Sequence, residues 1–163
     1  MMPVIHGKEL PAPLWDDLTL DVVLEYYDGP RLLLQKSSSG QMYLAWWSHE
    51  DGPVERWIYL PVSRPRLEEI LSGEVASLEA LDRPESGHIY LVDIDTKSDS
   101  IIRTVRTESS AISDSFKPMP GARLRLPMPP EIDDARTEKP TGRSVPTVST
   151  RPTRESTGRI SAS

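Results

Sequence analysis

The sequence predicts an α+β fold: an antiparallel sheet of five or six strands in meander order, two short helices packed on one face, and a disordered C-terminal tail. Three observations carry this reading. Short runs rich in β-branched and aromatic residues alternate with turn residues from Leu20 to Val62. A stretch with helix start and stop residues follows at 63–82. Every Trp and Tyr falls between Trp15 and Tyr90, and nothing aromatic follows Phe116.

The first strand is "LDVVLEYY" (20–27), closed by Asp28, Gly29 and Pro30. "RLLLQK" (31–36) ends at "SSSG", "QMYLAWWS" (41–48) at the loop "HEDGP" (49–53), and "VERWIYLPV" (54–62) completes four strands. Ser63 is suited to cap a helix over "RPRLEEILSG". Pro65 fits its first turn, Glu68 and Glu69 favour its positive end, and Gly73 can close it in a left-handed conformation. A second helix, "SLEALD", starts at Ser77 with Leu78 and Leu81 on one side. "HIYLVDID" (88–95) is a fifth strand between Glu85-Ser86-Gly87 and "TKSDS". "SIIRTVRT" (100–107) adds an edge strand, where Arg103 and Arg106 would discourage further pairing. "FKPMPGARLRLP" (116–127) reads as an irregular closing strap anchored by Phe116, Met119, Leu124 and Leu126.

At 163 residues the chain has room for one ordinary domain. Residues 1–127 form that domain. Residues 128–163, rich in Pro, Ser, Thr and Arg without periodicity, cannot bury enough apolar area to offset their ordering entropy. The formal charge of −6 divides unevenly: residues 1–135 hold 13 Lys and Arg against 23 Asp and Glu, residues 136–163 hold 6 against 2. An acidic body repels a phosphate backbone, so general nucleic-acid binding is disfavoured. Having no cysteine, the chain has no disulfide, thiolate metal site or cysteine nucleophile. With neither a signal-peptide pattern nor an apolar run of about 20 residues, the expectation is a soluble cytoplasmic protein away from the membrane.

Taken together, "YYDGPRLLL", "GQMYLAWW", "ERWIYLPVS", "RLEEILSGEVASLEAL" and "GHIYLVDID" resemble an uncharacterised bacterial family of domains of unknown function, from about Asp17 to Leu126. The resemblance implies a small bacterial cytoplasmic protein of meander-plus-helices form. It brings no reaction and no catalytic residue.

Of the chemistry-bearing stretches, "VDIDTKSD" places Asp93, Asp95 and Asp99 at a strand end and is similar to the opening of the haloacid-dehalogenase phosphatases. Lys97 stands where that pattern needs Thr or Val, and the chain lacks room for the parallel sheet such enzymes use. A hydrolase using Asp93 and Asp95 is therefore an outside alternative. As a calcium loop the same stretch lacks the required Gly and Glu. His6, His49 and His88 have no metal-ligand spacing, and phosphate-loop and serine-nucleophile signatures are missing, so no catalytic residue, metal or cofactor is assigned.

The remaining feature is the aromatic hairpin. With a loop over 49–53, facing positions sum to 102. Trp46, Leu44 and Met42 then share one face with Arg56, Ile58 and Leu60, while Tyr43 faces Tyr59, Ala45 faces Trp57 and Trp47 faces Glu55 on the other. Two short helices cover one side of the sheet, so the aromatic face needs the 100–127 strap, a second subunit or a ligand. The functional expectation is a non-catalytic interaction module that binds a protein partner or a second copy through Tyr43, Trp47, Glu55, Trp57 and Tyr59, in a regulatory, defence-associated or toxin-neutralising role. The alternative is a platform for single-stranded nucleic acid or a nucleotide, with those rings stacking on bases and Arg31, Arg56, Arg103 and Arg106 meeting phosphates.

Overall fold

The computed structural model describes residues 5–10, 18–26, 29–130 and 132. The strands are β1 (Lys8–Glu9), β2 (Leu18–Tyr26), β3 (Pro30–Ser37), β4 (Met42–Asp51), β5 (Val54–Val62), β6 (Ile89–Asp95) and β7 (Ser100–Thr107). They form one antiparallel sheet in the order β1-β7-β6-β5-β4-β3-β2, with α1 (Arg64–Ser72) and α2 (Ser77–Asp82) inserted between β5 and β6. The fold class is as expected, but the sheet has seven strands rather than five or six. The addition is β1, which pairs with β7 through two residues and makes β7 an interior strand. β1 and β2 form opposite edges of the sheet, and residues 11–17 between them lie outside the described residues.

The β4–β5 hairpin is tighter than the expected five-residue loop. Pairing continues to Asp51↔Val54, leaving only Gly52 and Pro53 in the turn, and Gly52 has the positive φ (63°) that primed hairpin turns need. A bulge at Ser48 separates Trp47↔Trp57 from His49↔Arg56. Below the bulge the facing positions sum to 104, so Trp46 lies opposite Ile58 rather than Arg56, Trp47 opposite Trp57 rather than Glu55, Ala45 opposite Tyr59 and Tyr43 opposite Pro61. A slip of two residues preserves which side chains share a face.

One face carries Leu32, Leu34, Met42, Leu44, Trp46, Ile58, Leu60, Ile89, Leu91 and Val105, covered by Leu67, Ile70 and Leu71 of α1 and Ala80 and Leu81 of α2. Ser63 caps α1, its Oγ accepting from the Arg66 N–H at 3.3 Å, and Gly73 ends it at φ 89°. The acidic residues meet basic ones on the same helix instead of a first-turn dipole: Glu68 lies 3.6 Å from Arg64 and Glu69 3.0 Å from Arg66.

The closing strap also lies on the helix-bearing side. Ile112, Phe116, Leu124, Leu126 and Met128 pack into the same cluster, the Leu126 N–H donates to the Leu71 carbonyl at 2.8 Å, and the Ser77 N–H donates to the Ala122 carbonyl at 3.0 Å. A Cβ on Gly73 would meet the Leu124 carbonyl oxygen, so this glycine both ends the helix and admits the strap. Met119, an expected anchor, is exposed instead. Packing continues past Pro127 to Ile132, which is buried in the cluster. Residues 133–163, most of the expected tail, lie outside the described residues.

Candidate functional site: the aromatic face and its two ends

Alternation along the strands puts Leu33, Tyr43, Ala45, Trp57, Tyr59, Tyr90 and Val92 together on the face opposite the helices. Tyr43 and Tyr59 meet edge to face with ring centroids 6.3 Å apart. The rings are interior in the single chain: Tyr59 is 2 % exposed, Trp57 4 % and Tyr43 8 %. The 100–127 strap does not cover them, because 100–107 belongs to the sheet and the remainder packs on the other side. Leu10 packs at the β1 edge of this face. Burial holds the Tyr43 hydroxyl above the usual phenol range, and the neighbouring Tyr90 adds to the effect.

Of the five residues expected to bind a partner, the structure therefore places Tyr43, Trp57 and Tyr59 in a second core. Trp47 and Glu55 remain at its rim. Trp47 is half-buried under the Arg31 guanidinium, which sits 4.1 Å from the ring centroid. Its indole N–H has no hydrogen-bond partner among the described residues. Glu55 Oε1 accepts from the Trp57 indole N–H at 3.2 Å and lies directly across from Glu50. Asp51 closes the same hairpin, and Asp95 pairs in register with Val54, so this end of the sheet is acidic.

Asp93 points to the other face, where it receives two bonds from Arg56: Nε to Oδ1 at 2.7 Å and Nη2 to Oδ2 at 2.9 Å. Both side chains are nearly buried. Asp95 instead accepts the Lys97 N–H in a local turn. The two carboxylates of the hydrolase alternative are thus held on different structural duties. His49 packs against Phe116, with ring centroids 4.4 Å apart, and Ser48 donates to the Phe116 carbonyl at 2.7 Å. Among the described residues no group of three or more His, Asp or Glu is placed to hold a metal ion, and no helix is long and apolar enough to cross a membrane.

The arginines of the nucleic-acid alternative are also separated. Register puts Arg56 and Arg103 on the helix-bearing side, with Arg103 3.6 Å from Glu9, while Arg31 and Arg106 lie on the aromatic side near opposite ends of the sheet. The basic end, unnoticed in the sequence, contains Lys8, His88, Tyr90 and Arg106. His88 Nε2 lies 2.8 Å from the Tyr90 hydroxyl, and burial together with Arg106 holds this imidazole below its ordinary range.

The family described as "Family of unknown function (DUF6575)" matches residues 12–120, well over half of the chain. The protein belongs to this family. Its matched segment includes β2 to β7 and both helices, and with them the aromatic face. No curated protein and no solved structure matches the chain.

Proposed function

We propose that this DUF6575 protein is a non-catalytic interaction module that docks a basic polypeptide against the acidic rim of its aromatic face. The observation that carries the reading is the direct opposition of Glu50 and Glu55 beside half-buried Trp47. Like charges facing each other across a strand pair are unfavourable alone and become favourable when a cation bridges them. An indole beside an arginine supplies the kind of anchor that dominates binding energy at interfaces. The buried rings of Tyr43, Trp57 and Tyr59 hold this rim rigid, so the contact surface is pre-organised.

A second copy suits the rim poorly, because a two-fold contact centred there would bring the Glu50 and Glu55 carboxylates of both copies together. Stacking on bases would require Tyr43, Trp57 and Tyr59 to leave the interior, so the nucleic-acid alternative gains no support from their placement. A bacterial cytoplasmic setting, with a regulatory, defence-associated or toxin-neutralising role, belongs to the proposal; in each such role an acidic module meets a basic partner.

The test is affinity capture from native cytoplasm with wild type and the Glu50→Lys/Glu55→Lys double variant, followed by binding of the recovered protein in isolation. The expected result is a partner with a basic contact segment, bound at least about tenfold more weakly by the double variant. Equal binding by a charge-reversed protein with unchanged circular dichroism would refute the proposal.

A further inference from the structure

At the other end of the same face, β1 is short yet firmly positioned. Gly7 lies so close to β7 that a Cβ would run into the Arg106 carbonyl oxygen. Thr107 Oγ1 donates to the His6 carbonyl at 2.7 Å, and the Leu10 N–H donates to the Thr104 carbonyl at 2.9 Å. These contacts set Lys8 directly across from Arg106 on the aromatic side. One lysine would suffice to discourage pairing at an open edge; two cations placed opposite each other repel.

The surroundings compound the excess of positive charge. Arg106 lies across from Tyr90, and its charge acts on the Tyr90 phenol, whose oxygen is 2.8 Å from His88 Nε2. Burial and the Arg106 charge both disfavour the protonated form of His88. Among the described residues neither Lys8 nor Arg106 makes an ion pair. Among the described residues the acidic groups nearby are occupied or displaced. Glu85 binds Ser63, Glu9 turns with Val105 toward Arg103 on the other face, and Glu108 lies beyond the end of β7. Tyr43, also facing Tyr90, is a neutral phenol.

We infer that the corner formed by Lys8, His88, Tyr90 and Arg106 is a binding site for a phosphate group, free or as a monoester. A dianion matches two cations set opposite each other by strand register. Arg106 offers a fork of guanidinium donors, and Lys8 offers three. The bound anion would also favour the charged form of His88, so binding takes up a proton there.

The site is tested on the full chain by NMR. Inorganic phosphate is titrated at constant ionic strength against sodium chloride, and the His88 ring is followed from about pH 5 to 8 in sulfate, which does not itself titrate in that range. The expected result is a saturable shift confined to Lys8, His88, Tyr90 and Arg106, with His88 titrating at higher pH in sulfate than in chloride. Lys8→Gln and Arg106→Gln should each weaken phosphate binding about tenfold or more, and the distant Lys97→Gln should leave it intact. Linear shifts, or equal binding by Lys8→Gln, Arg106→Gln and Lys97→Gln, would leave only solvated edge charges and overturn the assignment. Equally tight, saturable binding of acetate would overturn the choice of phosphate.

Discussion

Replacing Asp93 with alanine would take the paired carboxylate away from the buried Arg56 guanidinium. The two side chains are only 11 % and 6 % exposed, and their paired bonds of 2.7 and 2.9 Å join neighbouring central strands, β5 and β6. Removing one partner of such a pair costs about 3–5 kcal/mol, mostly from the charge left behind. That is a large fraction of the about 5–15 kcal/mol that holds a domain folded. In urea, with a slope of about 2 kcal/mol/M, the unfolding midpoint followed by circular dichroism should fall by about 1.5–2.5 M. The mechanism adds a second expectation: Arg56→Met/Asp93→Leu, which removes both charges, should recover most of the loss. A midpoint shift under about 0.5 M for Asp93→Ala, or a double variant no more stable than the single one, would refute the reasoning.

Three further outcomes follow from the same structure. Gly73→Ala should cost about 1–3 kcal/mol in denaturant unfolding, because it combines a φ of 89° with a collision at the Leu124 carbonyl; Gly40→Ala, at φ 97° in open space, should cost less. Trp57→Ala should cost about 3–5 kcal/mol, whereas half-buried Trp47→Ala should cost clearly less and should weaken partner binding. Because the His88 pKa lies below its unfolded value, its contribution to stability is complete above the unfolded pKa and is lost as pH falls toward the folded one. Urea midpoints should therefore decline less between about pH 7 and pH 5 in Arg106→Gln, which removes the second cause of the shift, than in wild type.

How far the sequence could be read depended on the range of the interaction. The division of the β4–β5 hairpin into two faces was legible because side-chain alternation has a period of two and survives a two-residue error in register. The register itself was not legible: the bulge at Ser48 and the two-residue Gly52–Pro53 turn leave no periodic trace. β1 escaped notice because two residues cannot show alternation, and its placement depends on what Gly7 lacks. Ser63, Pro65 and Gly73 announced α1 through local rules, whereas the side on which the strap would lie depended on distant contacts such as Leu126 with Leu71. The same limit applied to the site. Tyr43, Trp57 and Tyr59 were recognisable as one face, but alternation does not say whether a face is covered. The Arg56–Asp93 pair and the Lys8–Arg106 corner each join residues from separate strands and became visible only with the sheet order.

The aromatic face is interior, whereas Trp47 at its rim is only half-buried. The most direct measurement is fluorine NMR of protein labelled with 5-fluorotryptophan, assigned with Trp47→Phe and Trp57→Phe, in the presence of a soluble gadolinium chelate. The account predicts strong relaxation enhancement at Trp47 and little at Trp57. Equal enhancement at both would show the face open to solvent and contradict the account.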